Sequence, residues 1–232
     1  MRKIIVFTIL ILFMGYLFAL ESAPSEVVGF VKYDCVTTTG TNLNLVTLSM
    51  DAGYANASDL GNAIGNTICN TVSKWDVAGQ GWIQASYVPP MGWGGDFALD
   101  PGYAYMINVT SNVDVYIDGG LITQPQYNLS TTTGTNLNLI MIPMDRSDLS
   151  MASNLGDDIG NTICNTVSKW EALGQGWIQA SYVPPMGWGG DFAISIADPL
   201  MINVTSNVTW PTSSDFTDKV IKTYIKNSWR KK

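Results

Sequence analysis

The chain carries the same message twice. Thr37–Leu45 (TTTGTNLNL) returns as Thr131–Leu139, and Gly65–Trp75 (GNTICNTVSKW) returns unchanged as Gly160–Trp170. Gly79–Ala98 returns as Gly174–Ala193, and Met106–Val113 as Met201–Val208. The second copy has one extra residue between the first two blocks. Solenoid repeats run to roughly 20–50 residues, whereas a period of about ninety is long enough for each copy to bury a core of its own. Two tandem homologous modules are therefore expected, over residues 27–120 and 121–214. Near-identity also means that shared residues record common descent as readily as chemical demand.

Each copy reads as mostly β with one short helix. The run Asn42–Met50 opens as an alternating strand, then slips by one residue to Val46, Leu48 and Met50, as a bulge or a strand covered on both faces would. Asn56 or Ser58 can cap a helix in which Leu60, Ala63 and Ile64 share a side, with Gly65-Asn66 as its stop. Ser153, Leu155 and Ile159 repeat that signal before Gly160-Asn161. Thr67–Trp75 and Trp82–Val88 flank a glycine turn and predict a hairpin, which Pro89-Pro90 ends. Tyr103, Tyr105, Ile107 and Val109 mark the cleanest period-two strand, and Val113, Val115 and Ile117 close the unit. Five or six strands per copy suit a β-sandwich or an open barrel. The second copy has Ala197-Asp198-Pro199-Leu200 where the first has Gly102-Tyr103-Ala104-Tyr105, so any role of those tyrosines is confined to the first. The segment Gly119–Asn128 between copies contains Leu121 and Ile122 and so can pack as well as swing.

Arg2 and Lys3, the apolar run Ile4–Leu20 and the polar Glu21-Ser22 that follows form an export signal over residues 1–20. Ala19 is the best small residue before a cut; a retained anchor is the alternative, at the short limit for a ~30 Å hydrocarbon core. Either way the remainder is expected outside the cytoplasm, at the cell surface. Three cysteines then make an odd set. Cys69 and Cys164 are equivalent and Cys35 has no counterpart; Cys35–Cys69 or Cys69–Cys164 bridges are conceivable, and small buried thiols are the simpler reading.

The strand Asn42-Leu43-Asn44-Leu45, the capped helix with Leu60 and Ile64, the strand Val72–Asp76, the aromatic return at Trp82 and the Gly102-Tyr103 strand follow in that order. The order resembles a β-rich module repeated in secreted surface proteins of archaea and bacteria, over Thr37–Val113 and Thr131–Val208, with a departure at the lost Gly-Tyr pair. The resemblance implies surface exposure and an adhesive, binding or assembly role and supplies no catalytic residues; the signal, the duplication, the missing catalytic set and the charge-segregated tail point to adhesion or to a surface-layer or filament subunit.

Composition narrows the chemistry. There is no histidine, so His-based triads, zinc sites and haem ligation are excluded. Residues 27–214 hold four bases against fifteen acids, which leaves no basic stripe for nucleic acid. Glutamate is confined to Glu21, Glu26 and Glu171, and the aligned Asp76/Glu171 and Asp96/Asp191 suit turns better than paired acid–base work. No catalytic set is expected, and no cofactor. Calcium is the one cation the acidic runs Asp114–Asp118, Asp145–Asp148 and Asp157-Asp158 could hold, although none has the spacing of a dedicated calcium loop.

Tryptophan offers the sharper candidate. Trp75 and Trp82 read as cross-strand packing. Trp93 and Trp188, flanked by glycines and followed by Asp96 and Asp191, are expected exposed, where a ring could stack on a sugar while the carboxylate accepts hydroxyl hydrogen bonds. A pair of carbohydrate-binding modules is thus the alternative to a purely adhesive or structural protein. Five Asn-x-Ser/Thr sequons, at Asn56, Asn108, Asn128, Asn203 and Asn207, could carry glycan after export.

The last segment, residues 215–232, reverses the charge with Lys219, Lys222, Lys226, Arg230, Lys231 and Lys232. Ile221, Tyr224, Ile225 and Trp229 would line one side of a helix there. Such a tail fits adsorption to an anionic membrane or wall, or docking onto the acidic body of a neighbour; the second would give head-to-tail self-association into a filament or sheet, or contact with other surface proteins.

Overall fold

The computed structural model describes residues 28–40, 42–122, 125–132 and 134–212; the expected export segment and the basic tail lie outside them. The first half contains β1 (Val28–Cys35), β2 (Leu43–Thr47), β3 (Met50–Asp51), α1 (Ala57–Ile64), β4 (Cys69–Asp76), β5 (Gly81–Val88), β6 (Gly92–Gly94), β7 (Ala104–Val109) and β8 (Val113–Leu121). The second contains β9 (Tyr127–Leu129), β10 (Leu137–Met141), α2 (Ala152–Ile159), β11 (Cys164–Glu171), β12 (Gly176–Val183), β13 (Gly187–Gly189), β14 (Pro199–Val204) and β15 (Val208–Trp210). Over the described residues the protein is mostly β, with two short helices and several antiparallel sheets.

Two five-stranded sheets have matching orders, β2-β7-β4-β5-β6 and β10-β14-β11-β12-β13. Their registers match as well: Trp75 faces Trp82 as Trp170 faces Trp177, and the same irregularity falls between Cys69 and Thr71 and between Cys164 and Thr166. The bulge therefore lies in β4 and β11. The slipped pattern of β2 has the other cause, cover on both faces. Val46 and Leu48 enter the core of the first half, while Leu45 enters a separate cluster with Ala104, Met106, Leu139 and Met201.

Each five-stranded sheet turns its first face toward a helix and a smaller sheet. In the first half β1-β8-β3 supplies Cys35, Val115 and Ile117 to a core with Leu60, Cys69, Val72 and Ile107. The strand β1 precedes the one expected to come first. Its alternation, Val31 and Tyr33 inward with Phe30 outward, is satisfied only by β8, far along the chain. In the second half the smaller sheet shrinks to β15-β9, and buried Trp210 stands with Ile140, Leu155, Val167 and Ile202. The segment between copies packs: β8 continues to Leu121, which pairs with Met50, and buried Tyr127 opens β9.

The helices are held at both ends. The Asp59 carboxylate accepts the backbone N–H of Asn56 at 2.9 Å, and Gly65 stops α1 at φ 109°. Among the described residues no helix is long and apolar enough to cross a membrane.

Candidate functional site

The loop tryptophans are half-buried rather than exposed. The Trp93 ring lies on α1 at Gly61, where a β-carbon would stand 2.0 Å from Cζ2, and its Nε1 donates to Asn62 Oδ1 at 2.9 Å. Trp188 does the same on α2, at Gly156, with Nε1 donating to Asp157 Oδ1 at 2.8 Å. Asp96 accepts the Ser58 N–H at 3.0 Å and the Ser58 hydroxyl at 2.6 Å, and Asp191 repeats both bonds with Ser153. The two aspartates bind their loops to the helix N-termini, where a carboxylate also meets the favourable end of the helix dipole, and the two tryptophans bind theirs further along each helix. Slight burial would raise the Asp96 carboxyl, but the hydroxyl and N–H of Ser58 and the N–H of Phe97 outweigh it and hold it below its ordinary value.

Asp76 accepts the Ala78 N–H at 3.1 Å and so makes a turn. Asp114 pairs with Lys32 at 3.0 Å, and Asp157 serves Trp188. Arg146, only 2% exposed, is gripped by Asp148 at 3.1 Å and Asp158 at 2.7 Å, while Asp158 also accepts the Trp210 indole N–H. Among the described residues no group of three or more Cys, Asp or Glu could hold a metal ion. The three cysteines are unpaired and buried, and burial pushes the Cys35 and Cys164 thiols up to about 12 and Cys69 to about 11. Of the sequons, Asn56, Asn128 and Asn207 are exposed, while Asn108 and Asn203 are half-buried on the second face of their sheets.

That second face is where the halves meet. Trp75 Nε1 donates to the Leu137 carbonyl at 2.9 Å, and Trp170 Nε1 donates to the Leu43 carbonyl at 2.9 Å. Tyr33 reaches the Ala197 carbonyl at 3.2 Å and the equivalent Tyr127 reaches the Gly102 carbonyl at 2.6 Å. These four bonds form two reciprocal pairs. Leu45, Met106, Leu139 and Met201 fill the apolar centre of the seam.

Beside this centre the seam opens into a cleft of about 540 Å³, within the roughly 300–1,000 Å³ usual for small-molecule sites. Its floor is set by register on the second sheet: Ser168 pairs with Gln179 and Met201, and Thr166 with Asn203. Trp177 continues the floor, Trp75 and Trp82 come from the first half, and Gly134–Leu137 form the rim. Trp82 and Trp177 are 38% and 39% exposed, each braced edge-on by Trp75 or Trp170 at 5.3 Å between ring centres. Among the described residues no charged one lines the cleft. Sequence reasoning placed Trp75 and Trp82 as a cross-strand pair but missed the cleft. The available signal was that Trp75 and Trp82 fall on the sheet face opposite Val72 and Ala85, so that large apolar groups stand on both faces and a second partner surface was required.

Comparison with protein families, with curated proteins and with solved structures finds no match for this chain.

Proposed function

We propose that the chain is an exported, non-enzymatic cell-surface protein that acts in adhesion or as a structural subunit of a surface layer or filament. It consists of two tandem homologous β-sandwich modules behind an N-terminal signal. The observation that carries this reading is the reciprocal seam. Buried leucine and methionine, with half-buried tryptophans hydrogen-bonded across the seam, hold the copies as one block, so equivalent exposed groups are presented in a fixed relation. Among them are Met91 and Met186, each 81% exposed beside Val88 or Val183 at the ends of equivalent hairpins. Paired contact points on a rigid body suit assembly better than turnover. The acidic body, the basic tail and the resemblance to repeated surface modules support the same reading.

Cell fractionation with sedimentation and negative-stain imaging of the purified chain tests it. The expected result is surface association with cell coating or ordered polymers. A strictly monomeric species that coats no cells overturns the proposal. The alternative, sugar binding by Trp93 and Trp188 with Asp96 and Asp191, is disfavoured by the rings and carboxylates already engaged with the helices.

A further inference from the structure

We propose that the cleft at the seam is a binding site for a neutral saccharide, stacked on Trp82 and Trp177 and hydrogen-bonded through Thr166, Ser168, Gln179 and Asn203. This deepens the surface-binding reading and rests on it only for where the ligand would be met.

Three features of the cleft select that ligand. The first is its aromatic surface. Trp82 and Trp177 come from different halves and keep more than a third of their surface open to solvent, although the apolar seam beside them is buried. Each is held by a T-shaped contact with a second tryptophan that is itself hydrogen-bonded across the seam. Rings fixed in this way lose little conformational freedom on binding. The apolar C–H face of a pyranose meets the electron-rich face of an indole favourably.

The second is the polar row. Thr166, Ser168, Gln179 and Asn203 lie on adjacent strands of one sheet face, held there by ladder pairing. Asn203 Nδ2 already donates to the Thr135 carbonyl at 2.5 Å and Gln179 Nε2 to the Ser181 hydroxyl at 3.0 Å, so the amides meet sugar hydroxyls chiefly through their accepting oxygens, while the hydroxyls of Thr166 and Ser168 both donate and accept. A proline-rich peptide could also stack on the rings, but it brings almost only acceptors and would leave the acceptor oxygens of this row without partners.

The third is charge. Among the described residues the lining has none, and the body around it is strongly acidic, so an anionic glycan meets repulsion there. The site also depends on docking of the halves. Gln80, on the first half, accepts the Thr135 hydroxyl and the Leu137 N–H at 2.8 Å each and so fixes the rim.

Isothermal titration and tryptophan fluorescence of the purified full chain against cellohexaose, mannohexaose, chitohexaose and hexagalacturonate test the proposal. Saturable binding of at least one of the three neutral hexasaccharides is expected, with none of hexagalacturonate. Trp82→Ala and Trp177→Ala should each weaken it about tenfold or more, which corresponds to about 1.4 kcal/mol. Trp93→Phe should leave it unchanged. Should a tryptophan variant fail to fold by circular dichroism, the Ser168→Ala, Gln179→Ala double variant carries the test with the same expected loss. Absence of saturable binding to all three neutral probes overturns the proposal, as does binding indifferent to these substitutions or a preference for hexagalacturonate. Sedimentation in which Trp82→Ala dissolves oligomers that the neutral probes do not disturb also overturns it, since the cleft would then hold a second copy. Failure of surface association would leave the titrations intact, so the two readings fail separately.

Discussion

Gln80 binds Leu137 as a neighbouring strand would. Its Oε1 accepts the Leu137 N–H at 2.8 Å, and its Nε2 donates to the Leu137 carbonyl at 3.1 Å. Leu137 opens β10, which lies at the edge of its sheet, so the side-chain amide closes backbone groups that another chain could otherwise pair with. Gln175 does the same for Leu43 of edge strand β2, at 2.8 and 2.9 Å. Both glutamines hold a left-handed backbone, at φ 49° and 47°. That conformation costs an ordinary residue roughly 1–2 kcal/mol, and the cross-seam bonds offset it.

Gln80→Ala should therefore lower stability by about 1–2 kcal/mol, because it removes the bonds and keeps the backbone cost. Gln80→Gly should cost less than Gln80→Ala, because glycine relieves the left-handed strain. Urea midpoints of the two variants decide the matter. Equal midpoints for both variants and the parent would show that the clamp contributes nothing.

Gly61→Ala sets helix propensity against packing. Alanine gains about 1 kcal/mol in a helix interior, but its β-carbon would stand 2.0 Å from Trp93 Cζ2. Overpacking of that kind costs about 1–3 kcal/mol, and the ring is hydrogen-bonded in place, so a net loss is expected. Pairing Gly61→Ala with Trp93→Leu should recover part of it, as read by thermal melting. A stabilised single variant would mean that the ring moves aside freely.

The lowered Asp96 carboxyl gives a pH dependence with a defined sign. Its folded value lies below its unfolded one, so its contribution is full above the ordinary aspartate range and is lost as pH falls through the lowered value. Asp96→Asn should flatten the acid limb of the stability curve and leave its shape near neutrality unchanged. Acid titration of the unfolding midpoint measures this directly.

Buried thiols should be silent in the folded protein. With values at about 11 to 12, Cys35, Cys69 and Cys164 stay protonated at pH 8 and have no exposed approach. Iodoacetamide followed by mass spectrometry should label none of them in buffer and all three in denaturant. Labelling of any one before unfolding would contradict its burial.

Asp158 supports both Arg146 and Trp210, so its removal leaves a buried cation and a buried indole N–H short of a partner. Asp158→Ala should cost about 3 kcal/mol, the low end for a broken buried pair, because its side chain is still 27% open to water. With these carboxylates on arginine, EDTA and calcium should leave the unfolding midpoint unchanged. A calcium-dependent rise would assign the acidic loops a different role.

Much of the strand order was legible because it is written locally. The hairpin Cys69–Val88 follows from β-branched residues around a glycine turn, and α1 from its cap, its apolar side and Gly65. Features that depend on distant partners were not legible. β1 is an alternating segment whose meaning comes only from β8. Trp93 looked exposed because glycines flank it, yet the glycine that decides its place is Gly61, on the helix it covers. Likewise the Asp157-Asp158 run resembles a cation loop until Arg146 and Trp188 stand beside it. The cleft combines both difficulties, since its rings belong to different halves and its floor is composed of ordinary strand residues.

The reciprocity of the seam has a consequence for either half alone. A contact in which each side grips what the other side offers is the pattern of an isologous homodimer interface. The first half carries Trp75 and Gln80 together with the Leu43 edge that their equivalents bind, so an isolated copy would be complementary to itself. Covalent fusion replaces that concentration-dependent encounter with a fixed one-to-one partnership. It also frees the partners to diverge, as Arg146 and Trp210 on one side and Tyr103 and Tyr105 on the other record.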